Sequence, residues 1–160
     1  VSDLHGDIAP ARIVLDTNVC LDLFVFRDPA VAALREALDS GAVIGTTSQA
    51  CRSEWERVLA YPLLRLGEAA RAAMLAEYDT VMKAADAREF DFALPRCADP
   101  DDQKFLELAA TCGARWLLSR DDALLKLARR TKREGWFEIL APGAWEQSYC
   151  ADRHPGDVPG

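Results

Sequence analysis

The stretch Arg12-Ile13-Val14-Leu15-Asp16-Thr17-Asn18 constrains this chain more than any other. Ile13, Val14 and Leu15 form a short unbroken apolar run. That is the pattern of a strand buried on both faces, as in parallel sheets. The run stops at Asp16, Thr17 and Asn18, and a helical apolar pattern resumes in Val19, Leu21, Leu23 and Phe24. A carboxylate at the C-terminal end of a buried strand, beside a helix start, sits where open α/β folds place their ligands.

The rest of the chain repeats the alternation. Strands are predicted at 12–15, 42–45, 115–118 and 137–140. A first helix is predicted over 17–26. Asp28-Pro29 opens a second, with Asp28 as N-cap, and it stops at Ser40-Gly41. Thr46 to Ser48 start the next, which carries Cys51, Trp55, Val58 and Leu59 and meets Pro62. An alanine-rich helix follows over 66–85, then an extended connector over 86–98. Asp99-Pro100 opens a helix that reaches Cys112-Gly113; further helices are predicted over 122–132 and 142–149. Strands alternating with helices imply an α/β fold, a mainly parallel central sheet between two helical layers. Every strand's C-terminal end then lies on one edge.

With 160 residues, half of them hydrophobic, the chain is long enough for one domain with a real core. The domain is placed at 11–149, with a loose arm at 1–10 and a mobile tail at 150–160. The arm lacks a basic region followed by an apolar core, and no apolar run approaches membrane-spanning length. The five cysteines (Cys20, Cys51, Cys97, Cys112, Cys150) are scattered and odd in number, which argues against a disulfide framework and for a cytoplasmic protein. His5 and His154 lie in the terminal segments, so a histidine-based zinc site is not expected. The net charge of −7 argues against a broad basic surface for nucleic acid. It leaves room for a metal-dependent nuclease, in which carboxylates hold a cation that supplies positive charge to a phosphate.

Asp16, Glu54, Asp102 and Asp121 stand at equivalent places along the predicted edge. Each has a structural reading as well. Asp16 could cap the helix after it, and Asp99, Asp101 and Asp102 could oppose a helix dipole. Ser119 to Asp122 fits a capping box, and Glu54 could be a solvated helix residue. Against this, Glu54 flanks the apolar stripe of its helix, whereas Glu56 pairs with Arg52 on the wet face. An inward-leaning carboxylate needs a partner, and a cation is the natural one. Asp99 and Asp102 can face the same way, with Asp101 rotated off. Carboxylates gathered without histidine or cysteine suit Mg²⁺ or Mn²⁺. Metal-assisted phosphodiester hydrolysis is the chemistry such a site serves. Two other readings stay open: a noncatalytic binding module whose acids are helix caps, and a phosphatase-type hydrolase with Asp16 as nucleophile. The second wants a general acid two residues after Asp16, where Asn18 stands.

Leu15-Asp16-Thr17-Asn18, Glu54 in a helix, the run Asp99-Pro100-Asp101-Asp102-Gln103-Lys104-Phe105-Leu106-Glu107-Leu108-Ala109, and Leu118-Ser119-Arg120-Asp121 together resemble the PIN domain. Within it, they are most similar to the toxins of bacterial toxin–antitoxin systems. The resemblance covers about residues 11–145. It implies a PIN-like three-layer α/β/α sandwich and an endoribonuclease dependent on Mg²⁺ or Mn²⁺. It assigns Asp16, Glu54, Asp102 and Asp121 as catalytic and metal-holding acids, with Asn18 and Ser119 in support. Asp99 is either a further ligand or only the cap of its helix. The expected partners are an RNA substrate and a cognate antitoxin protein, with a homodimer left open and no membrane. Arg120, adjacent to Asp121, is the better candidate for a phosphate contact near the site. Arg129 and Arg130 belong to the strongest basic run and are candidate contacts to RNA phosphates; a solvated helix face is the plain alternative.

Overall fold

A computed structural model describes residues 9–86 and 89–153. The arm expected at 1–10 falls outside these except for Ala9 and Pro10, as do the last seven residues, and His5 and His154 with them. Five strands form one parallel sheet: β1 (Ala11–Leu15), β2 (Val43–Thr47), β3 (Lys83–Ala84), β4 (Trp116–Leu118) and β5 (Glu138–Leu140). Their order is β3-β2-β1-β4-β5, and every neighbouring pair is parallel. The helices are α1 (Thr17–Phe24), α2 (Ala32–Ser40), α3 (Gln49–Leu59), α4 (Glu68–Val81), α5 (Gln103–Cys112), α6 (Asp122–Leu125), α7 (Ala128–Arg133) and α8 (Pro142–Arg153).

β1 shows why the sheet is covered on both faces. Ile13 and Leu15 enter one core with residues of α1, α2, α3 and α8. Val14, between them, enters the other with residues of α5, α6 and β5. Alternate side chains of a strand point to opposite faces, so an unbroken apolar run demands a helical layer on each. The α/β/α sandwich follows. Trp55, Trp116 and Trp145 are all buried, whereas Trp136 is half-buried and stacks on Phe92 at 4.5 Å. Trp145 stacks on Tyr149 at 4.6 Å and meets Trp116 edge-on, which seats α8 against β4.

Several predicted boundaries move. Asp28 does cap, accepting from the Ala30 N–H at 2.9 Å, but it opens a 3₁₀ turn (Pro29–Val31) before α2. Thr46 and Thr47 lie in β2, and Ser48 is the N-cap of α3, accepting from Cys51 N–H. The helix expected over 66–85 is α4, shorter at both ends, and β3 occupies residues given to that helix. The helix expected over 122–132 is two, because the Leu127 N–H bonds to Leu124 three residues back and tightens the turn. α8 runs to Arg153, four residues into the stretch read as a mobile tail.

The order of strands places the site. The chain leaves β1 toward β2 on one side and leaves β4 toward β5 on the other. The loops at the C-terminal ends of β1 and β4 therefore diverge and leave a crevice, as at any switch point of an open parallel sheet. Asp16 follows β1 and Ser119 follows β4; the Asp16 N–H still bonds to Leu118 O at 2.9 Å.

Candidate active site

Asp16 occupies the N-cap position of α1 yet makes no side-chain capping hydrogen bond. Its Oδ2 instead accepts from the Ser119 hydroxyl at 2.6 Å, across the switch point. The same hydroxyl accepts from the Asp121 N–H at 2.9 Å. Ser119, fully buried, thus fixes two acids at once. This corrects the capping box expected at 119–122: the cap of α6 is Asp121, whose Oδ1 accepts from the Ala123 N–H at 2.9 Å, and Asp122 is exposed. Asp99 also caps, accepting from the Asp101 N–H at 3.0 Å at the start of a 3₁₀ turn (Pro100–Asp102) that leads into α5. That turn swings the Asp102 carboxyl inward, where it is 8 % exposed and its Oδ2 is buried without a hydrogen-bond partner.

Asp16, Asp102 and Asp121 converge. Each offers one carboxylate oxygen, and the three lie within 4.8 Å of one another. Like charges this close cannot all ionise in a half-dry site. Burial pushes the Asp102 carboxyl up to about 8; the close approach of the Asp121 carboxyl and the charges of Asp16, Asp121 and Asp99 push the same way. Asp121, beside the Asp102 carboxyl and accepting from the Ala123 N–H, is held below the usual carboxylate range. Burial raises Asp16 as well, against the pull of the Ser119 hydroxyl and the neighbouring backbone.

Glu54 reaches the same cleft from α3 but stands apart from the three. Its carboxylate pairs with the Lys104 ammonium of α5 at 2.8 Å and accepts a hydrogen bond from the Thr17 hydroxyl. An inward carboxylate did need a cation, and Lys104 is the one beside it. Glu56 is exposed and pairs with Arg52 at 3.6 Å, as the sequence suggested. Asp101, expected to be rotated off, is exposed but still lines the cleft, as do Asp99 and Asn18. The Arg120 guanidinium is already committed: it pairs with Asp22 at 3.2 Å and reaches the Asn18 carbonyl at 3.4 Å. Asp22 is buried, so Arg120 ties the loop bearing Asp121 to α1. Arg129 and Arg130 are exposed on α7 and do not line the cleft. Sequence reasoning missed Thr17 and Lys104 as partners of Glu54, and it missed the cleft's apolar wall of Leu21, Val58, Tyr61, Leu63 and Leu64.

A family model for the PIN domain matches residues 12–123. The chain belongs to the PIN-domain family. PIN domains are generally nucleases, and the matched span carries all the acids of this cleft. No curated protein matches the chain. A divalent metal, which PIN domains typically use, fits the residues present. Asp16, Asp102 and Asp121 form an all-oxygen set, and the Asp102 Oδ2, buried and unpartnered among the described residues, is an acceptor that a bound cation would satisfy. Among the described residues, no helix is long and apolar enough to cross a membrane.

Proposed function

We propose that this PIN domain is an endoribonuclease dependent on Mg²⁺ or Mn²⁺, cutting single-stranded or loop RNA by hydrolysis. One observation carries the reading: one oxygen from each of three carboxylates within 4.8 Å of the others, and a buried oxygen of Asp102 that no described residue satisfies. Helix caps have no reason to be arranged so, and Asp16 forgoes its own cap bond. Asp16, Asp102 and Asp121 would hold the metal, with Asp99 and Asp101 at the rim. The bound ion supplies an activated water and charge stabilisation at the phosphate. Ser119 keeps Asp16 and Asp121 in register, so the set needs no rearrangement to act. Lys104 does not itself line the cleft, but its ammonium pairs with Glu54, which does, and holds that carboxylate in place. Glu54 orients that ammonium and is placed to accept a proton from water in the cleft. Unpaired RNA suits the site because a flexible backbone can bend into a narrow cleft.

The resemblance to toxin-branch sequences supports a toxin role in the cytoplasm, with a cognate antitoxin protein as its partner. The nuclease reading is tested by incubating end-labelled RNAs with wild type, Asp16→Asn and Asp121→Asn in EDTA, Mg²⁺ or Mn²⁺. Cleavage by wild type only with metal, and none by either variant, is the expected result. Asp16→Asn is the cleaner variant, since Asp121 also caps α6. Metal-independent cleavage, or full activity in either variant, overturns the reading.

A further inference from the structure

The acids form only the floor of their cleft. The cleft has a volume of about 360 Å³, and an apolar wall joins the acids in lining it: Leu21 of α1, Val58 of α3, and Tyr61, Leu63 and Leu64 just after α3. Only three large hydrophobic residues are exposed among those described, and two belong to this wall, Tyr61 at 55 % and Leu63 at 93 %. Tyr61 has no ring contact, and its hydroxyl no hydrogen bond, among the described residues. A ring left in water beside a charged floor calls for a ligand with two natures.

The segment that presents it is built to hold still. Pro62 starts a 3₁₀ turn (Pro62–Leu64), and the N–H groups of Tyr61, Leu64 and Arg65 are bonded to Val58, Tyr61 and Pro62 at 3.0 Å each. Arg65 closes the turn in the left-handed region at φ 52°, a conformation a side-chain-bearing residue rarely adopts without a structural demand. The lip is therefore formed before any ligand arrives.

We propose that Tyr61, with Leu63 and Leu64 lining the cleft alongside it, is a stacking subsite for the nucleobase of the nucleotide whose phosphate sits over Asp16, Asp102 and Asp121. The inference rests on the nuclease reading and adds to it the part of the substrate that this wall holds. A nucleotide has both natures that the cleft offers: an anionic phosphate for a cation-bearing floor, and a flat apolar face for the wall. The volume suits one nucleotide and is too small for a docked helix. Stacking on an aromatic ring is indifferent to which base is present, so Tyr61 adds affinity and alignment without a sequence code.

Calorimetric titrations with adenosine 5′-monophosphate and with ribose 5-phosphate, both in Mn²⁺, read the base's contribution directly. Wild type is expected to bind the nucleotide about 5- to 100-fold more tightly than the sugar phosphate. In Tyr61→Ala the preference falls to within about twofold while sugar phosphate binding is unchanged, and Tyr61→Phe keeps the preference. Equal binding of the two ligands by wild type removes the subsite and leaves the metal–phosphate reading standing. A preference that survives Tyr61→Ala, or a variant that loses both ligands equally, also overturns it. If neither ligand binds, the floor reading fails and the subsite falls with it.

Discussion

Asp102 is where the molecule's electrostatic conflict is concentrated. Unfolded, its carboxyl titrates near the ordinary 3.8; folded, burial first and the neighbouring acids second push it up to about 8. The folded protein thus holds this proton more tightly than the unfolded chain. The stability linked to a neutral Asp102 is complete below about 3.8 and is lost as pH rises through about 8. Asp16, also raised by burial, acts in the same direction. Asp121 is lowered and acts oppositely, its contribution being lost as pH falls. Replacing Asp102 by Asn removes the ionisation and keeps the shape. In EDTA, Asp102→Asn should match wild type near pH 4 and exceed it by on the order of 2 kcal/mol at pH 9. Urea unfolding of both proteins across that range measures the gap. A gap that does not widen with pH would mean that Asp102 ionises without cost and that the acids are not crowded.

At the scale of elements, β2 has a requirement that its composition hides. A Cβ built on Gly45 would lie 2.6 Å from Met82 Sδ and 3.0 Å from a Leu38 methyl. Gly45 is therefore a close-approach residue, letting α2 and the end of α4 pack down on the strand. Gly45→Ala should cost about 1–3 kcal/mol by overpacking, and less than that in a Met82→Ala background; thermal melts of the single and double variants decide. The elements legible from sequence were those with their own signal. β1 had its apolar run, and the second helical stretch had Asp28 and Pro29. β3 had none: Lys83 and Ala84 are exposed at the sheet's edge, and their strand exists only because Thr46 and Thr47 offer hydrogen-bonding groups there. The acids were legible as strand-end and helix-start carboxylates. Their pairing was not. Lys104 meets Glu54, and Arg120 meets Asp22, through the folding of distant helices onto one another. The Tyr61 lip was invisible for a related reason. The helix was expected to end at Pro62, and only the closed turn after it shows that Tyr61, Leu63 and Leu64 face a cleft.

Over the whole molecule, the net charge of −7 limits how the chain can meet a polyanion. Long-range attraction is disfavoured, so binding must rest on local contacts, and Arg129 and Arg130, exposed and adjacent on α7, are candidates for it. Their neighbours are partly engaged: Lys132 pairs with Glu138 at 4.0 Å and Arg133 with Glu134 at 3.8 Å. If Arg129 and Arg130 each meet one phosphate of a single strand, the logarithm of affinity should fall with the logarithm of salt at a slope of about −1.4. A protein tracking a duplex groove through many phosphates shows slopes several times steeper. The double variant Arg129→Ala/Arg130→Ala should therefore raise KM, flatten the salt dependence toward zero and leave kcat nearly unchanged, because neither arginine lines the cleft. Duplex DNA of equal length should be a poor substrate, having neither a basic track to follow nor a backbone that bends into the acids. Cleavage kinetics between about 50 and 200 mM salt measure all three quantities. A steep slope in wild type, or a large fall in kcat in the double variant, would move the RNA path off α7 or bring α7 into the chemical step.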